Sequence, residues 1–150
     1  MSISLVQAEA VIAAARARAA ERGVAVALGV VDAGGNLVAF ARADGANLIT
    51  IDTAIGKAFT AVSIGADSVN LTAAIQPGGP LFGTGLVLAG SRSLVPYGGG
   101  VVIRDGERVI GAVGVSGAPD SAVDHEIAAA AAAQVPAQVP TQVTAQVTAP

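Results

Sequence analysis

Helical and extended spacing of apolar residues alternate along this chain, and glycine marks most of the changes. Val6, Ala10, Ala13, Ala14 and Ala17 recur three and four residues apart, the spacing of one helix face. Ser4 with Gln7 has the form of a capping box at the start, and Gly23 is a natural stop. "VAVALGVV" (24–31) predicts a strand, "DAGGN" a turn and "LVAFAR" (37–42) the returning strand. "NLITIDTAIGKAFTAVSIG" (47–65) predicts a second helix that stops at Gly65, with a short third helix over 68–75. Residues 76–100 are rich in glycine and proline, with a short strand expected at 86–89. "GVVIR" and "ERVIGAVGVSG" flank Asp105-Gly106, the clearest hairpin signal in the chain. Ser121-x-x-Asp124 reads as a capping box that opens a last helix into an alanine run.

This order predicts an α+β domain over 1–133, a meandering antiparallel sheet of about five strands flanked by helices. Its Val, Ile and Ala runs lack polar alternation, which predicts strands buried on both faces. A sheet this small needs help to bury both faces, so a homo-oligomer is expected. Residues 134–150, "QVPAQVPTQVTAQVTAP", cannot sustain a helix through their prolines and read as a disordered tail.

Composition narrows the function classes. Of the 150 residues 53% are hydrophobic, chiefly Ala and Val, so the core has few large anchors. The net charge is −3 and the basic residues are scattered, which argues against nucleic acid as a partner. The lack of cysteine excludes disulfides, zinc–thiolate sites and a Cys nucleophile. The N-terminus lacks the basic start and long apolar run of a signal peptide, and no apolar stretch reaches ~18 residues. A cytoplasmic protein without a membrane partner is therefore expected.

"VVDAGGNLVAFARADGA" (30–46), "KAFTA" (57–61) and "VPYGGGVVIRDGERVIGAVGVSGAPDSAVDHEIA" (95–128) resemble, in order and spacing, the GlcG/HbpS family, which includes haem-binding HbpS-like proteins and the C-terminal domain of PduO-type proteins. The resemblance covers roughly 5–133. It implies a profilin-like fold, homo-oligomers, and in some members haem or corrinoid-related ligands. It also places Arg42 and Lys57 on family motif positions. The chain departs from the haem-binding pattern in one respect: its first helix has no His, Cys or Tyr, and its one histidine is His125 near the C-terminus.

The residues themselves offer a small set of chemical groups. Lys57, the only lysine, sits among apolar neighbours in "AIGKAFTAV", either as a snorkelling stem or as a partly buried ammonium paired with a carboxylate or an acidic ligand. Arg42 could pair with Asp44 or clamp a carboxylate. Gly111, Gly114 and Gly117 permit close backbone approach, and Ser116-Gly117 leads to a helix N-terminus whose free amides favour an anion. Tyr97, beside Gly98, Gly99 and Gly100, can stack on a ligand or donate from its phenol. Asp124 shares a helix face with Ile127, Ala128 and Ala131, whereas His125 projects away and could act as a base across a subunit interface. Metal-ligand spacing is absent beyond Asp120 and Asp124, which a helix cap explains.

Two functions of different class fit these residues. One is an oligomeric binding protein whose pocket (Arg42, Tyr97, Gly99, Ser116, Gly117, with Lys57) holds an anionic small molecule or haem. The other is a cofactor-independent isomerase, cyclase, lyase or hydrolase of a metabolic or biosynthetic pathway, in which Lys57, Asp124 or His125 moves a proton.

Overall fold

The computed structural model describes residues 1–84, 92 and 94–137. Two hairpins form the sheet. The first joins β1 (Ala27–Asp32) to β2 (Leu37–Arg42), the second β3 (Gly100–Asp105) to β4 (Arg108–Ser116). They meet through an antiparallel β1–β4 pair, Ala27 opposite Ser116 and Val30 opposite Val113, giving the order β2-β1-β4-β3. The sheet thus has four strands among the described residues instead of about five. The strand expected at 86–89 lies outside the described residues, as does the tail from 138 onward. Before that point Val135 packs on the core and Pro136 accepts a hydrogen bond from Gln7 Nε2 at 2.8 Å.

Helices cover both faces. Helices α1 (Leu5–Arg22) and α3 (Ser121–Ala132) lie on one, and α2 (Ile49–Ile64) lies on the other. The two sheet faces differ in side-chain size. Leu28, Val30, Ile103, Val113 and Val115 point into the large core under α1 and α3. Val31 and Ala112 face α2, joined there by Gly29 and Gly114. An added Cβ at Gly114 would overlap the Ala54 carbonyl, and one at Gly100 the Lys57 carbonyl. The α2 backbone therefore rests directly on the sheet, and Gly114 is required for packing. β1 is buried almost throughout and β4 from Ile110 on, as their uninterrupted apolar runs predict.

Helix α1 has the expected capping box, Ser4 Oγ accepting from Gln7 N–H and Gln7 Oε1 from Ser4 N–H, and it ends at Gly23 with φ 67°. Its buried stripe is Ala8, Val11, Ala15 and Ala19, whereas Val6 is 70% exposed. The stripe is turned from the face that the sequence pattern picked, because an alanine-rich helix is nearly as apolar on either side. The short helix expected over 68–75 is two 3₁₀ turns, Ser68–Leu71 and Ala73–Ile75.

The cap of α3 also differs from expectation. Asp120 is the N-cap, its carboxylate accepting from Ala122 N–H at 2.8 Å. The Ser121–Asp124 capping box does not form, because Asp124 is drawn into the interior.

Glu126 of α3 bridges to Arg18 and Arg22 of α1, and Arg18 also pairs with Glu21. These side chains are a third or more exposed, and exposed pairs contribute little. Glu126→Gln is therefore expected to lower stability by less than about 1 kcal/mol, read by urea unfolding. No single helix among the described residues is long and apolar enough to cross a membrane.

Candidate functional site

Lys57 lies on the inward face of α2 with Ala54, Ala58 and Ala61, and is 5% exposed. Its stem passes Gly99, where a Cβ would stand 2.9 Å from Lys57 Cδ and 3.0 Å from Nζ. Gly99 has φ 126° and leaves that passage open. The ammonium donates to Asp124 Oδ2 at 2.9 Å and to the Val115 carbonyl at 3.1 Å. Asp124 belongs to α3, in the helix layer on the other side of the sheet, so this buried pair ties the two layers together. Asp124 Oδ1 accepts from Ala118 N–H at 3.0 Å.

The pair lines an open cleft of about 360 Å³ together with Thr50, Thr53, Tyr97, Ser116, Gly117 and Ser121. Thr53 Oγ1 and Ser116 Oγ are 2.7 Å apart, and Thr53 Oγ1 also donates to the Ile49 carbonyl at 2.9 Å. Thr50 Oγ1 donates to the Asn47 carbonyl at 2.5 Å. A second cleft of about 580 Å³ adjoins the first through Thr53 and Val95. On its wall Arg92 stacks over the Phe59 ring at 5.1 Å and donates to the Gly35 carbonyl.

Five of the residues singled out in the sequence therefore come together: Lys57, Asp124, Tyr97, Ser116 and Gly117 line one cleft, with Gly99 against the lysine stem. Two do not. Arg42 lies in the same cross-strand row as Ser116, both opposite Ala27, yet it lines a separate cleft of about 340 Å³ against α1. His125 is partly buried beneath Gly98 and is not on the lining; its Nδ1 is buried without a hydrogen-bond partner.

The amide-rich approach to α3, expected to favour an anion, is occupied from within. Asp124 takes the Ala118 N–H and Asp120 takes the Ala122 N–H. Lys57 likewise has its counter-charge in place, so the pair brings no net charge to the cleft. Sequence reasoning missed Thr50 and Thr53. Thr53 stands four residues before Lys57, the spacing that puts two side chains on one helix face.

The described residues form a layered α+β domain, an antiparallel sheet flanked by helices, with a polar cleft at one end of the sheet. The chain belongs to the HbpS-like family: the family model described as haem degrading protein HbpS-like matches residues 3–133. A 15.0 kDa protein encoded in the dhaT-dhaS intergenic region of Citrobacter freundii is 39% identical over 116 residues, 77% of this chain and 80% of that protein. The corrinoid adenosyltransferase PduO of the same organism is 34% identical over 117 residues, and the match spans 78% of this chain but only 34% of PduO. The solved PduOC:haem complex superposes with a TM-score of 0.82 at 31% identity, covering 90% of this chain and 96% of that one.

Proposed function

We propose that this protein binds one small polar ligand in the cleft at the Lys57–Asp124 pair, with a carbonyl or carboxylate oxygen of the ligand accepting from Lys57. The observation that carries this reading is an ion pair 2.9 Å long, nearly buried, that nevertheless lines an open cleft. Burying two charges is costly, and apolar residues of equal volume often serve stability as well. A charged pair kept at a cleft wall is better explained by what it holds there. Two of the three ammonium protons go to Asp124 and Val115, which leaves one for a ligand. Ile49, Val95 and Tyr97 supply the apolar side of the same cleft.

The test is calorimetric titration with 3-phenylpropionate, which offers one carboxylate and an apolar body. Saturable binding is expected, and its loss in the double variant Lys57→Met/Asp124→Asn, which removes both charges with little change of volume. Equal binding by that variant would remove Lys57 from the site.

The haem in the PduOC complex makes hemin the second probe. Haem iron is usually taken by His, Cys, Met or Tyr. Among the described residues Tyr97 is the one such side chain on this cleft, and His125 lies outside it. The lining therefore does not fit a histidine-ligated haem. The expected result is that His125→Ala leaves any Soret change on hemin titration unaltered. A saturable Soret band that disappears in that variant would contradict the assignment.

A further inference from the structure

The protons of the Thr50, Thr53 and Ser116 hydroxyls bear on the class of ligand, on the premise that Lys57 holds a ligand oxygen as proposed above. A carbonyl oxygen has no proton to give. The 2.9 Å contact between Thr53 Oγ1 and the Ile49 carbonyl must therefore contain the Thr53 proton. A hydroxyl has only one. The 2.7 Å contact between Thr53 Oγ1 and Ser116 Oγ must then contain the Ser116 proton. Thr50 is in the same position, its proton held by the Asn47 carbonyl at 2.5 Å. Ser116 and Thr50 are both buried, and both present lone pairs to the cleft with no proton left to donate.

The Ser116 side of the cleft is thus polarised, with the Ser121 and Tyr97 hydroxyls elsewhere on the lining. Lys57 offers an N–H, and the Ser116 and Thr50 oxygens about one helical turn away can only accept. Thr53 and Lys57 are four residues apart on one face of α2, and the ammonium reaches the carbonyl of Val115, next to Ser116 in β4. One small molecule can touch both. We infer that the ligand is a carbonyl compound bearing a free hydroxyl, its C=O oxygen on Lys57 and its O–H donated to Ser116. Thr53 does not touch that hydroxyl; it is a positioning residue that dictates which way Ser116 points its proton. A ligand with a keto oxygen in place of the hydroxyl would set lone pair against lone pair, and one with a bare methylene would leave Ser116 unpaired.

Three probes of one shape separate these cases: 3-phenyllactate, phenylpyruvate and 3-phenylpropionate, titrated calorimetrically into the full chain. Phenyllactate should bind about tenfold more tightly than either of the others, the scale of one hydrogen bond between neutral groups in a site built to accept it. In Ser116→Ala that preference should fall to near parity. Thr53→Val should act in the opposite sense, releasing the Ser116 proton and raising phenylpyruvate affinity relative to phenyllactate. Circular dichroism checks that each variant is folded. Equal affinity for all three probes, still lost in Lys57→Met/Asp124→Asn, would overturn the inference and leave the parent reading standing. Preference for phenylpyruvate in the unaltered protein would overturn it too. Binding of none of the three would defeat both readings together.

Discussion

Asp124→Ala is expected to lower the unfolding free energy by about 3–5 kcal/mol, the largest single-residue effect at this site. The change leaves the Lys57 ammonium buried with only the Val115 carbonyl for company, and it orphans the Ala118 N–H. An unpaired charge on a side chain only 5% exposed and an unpaired, part-buried amide are both costly, and the cleft gives water limited access to the ammonium. The double variant Lys57→Met/Asp124→Asn should recover most of the loss. Met fills the lysine channel past Gly99 without a charge, and the Asn side-chain oxygen can still accept from Ala118 N–H. Its stability should lie within about 1 kcal/mol of the original protein, since replacing a whole buried pair is often neutral. Urea unfolding of the three proteins decides the matter. If Asp124→Ala cost no more than the Glu126 bridge, the pair would be behaving as a solvated surface contact, and its burial would have to be wrong.

Gly114→Val should be the most damaging glycine substitution in the sheet, at about 3 kcal/mol or beyond. Its Cβ would fall on the Ala54 carbonyl and lie 2.8 Å from the Ala58 nitrogen, both backbone atoms of α2 that cannot rotate away. The helix would have to lift, taking Thr53 and Lys57 with it, so ligand binding should fall along with stability. Gly106→Ala is the matched control. It sits in the β3–β4 turn at φ 60° with nothing within 4 Å of an added Cβ, so only the left-handed backbone is penalised, by about 1–2 kcal/mol. If the two cost the same, the close approach of α2 to the sheet would not be what Gly114 serves.

Much of this molecule is legible in its local sequence. The order of its main elements, the Asp105-Gly106 turn, the stops at Gly23 and Gly65, and central strands buried on both faces all follow from interactions within a few residues or from simple apolar runs. The pattern was silent wherever composition is uniform. Alanine on every side of α1 does not say which side is inner, and Ala8, Val11, Ala15 and Ala19 were selected only by the strands they meet. The α3 cap departs from its local pattern for a different reason: Ser121 and Asp124 have the right spacing for a box, but a lysine 67 residues earlier offers Asp124 a stronger partner.

The motifs that carry the family resemblance place Arg42 and Lys57 and include Ser116 and Gly117, yet they do not say that Arg42 would face another cleft or that His125 would lie beside this one. What the sequence by itself determined is an α+β domain with a lone ammonium, a glycine-lined helix seat and a serine at a strand end. Only the tertiary structure decided that the ammonium crosses to the far helix layer, that Asp124 pairs with it, and that Thr53 stands against Ser116. Those choices depend on how α2 and α3 close around one end of the sheet, a contact made across 63 and 67 residues of chain, which no local spacing can encode.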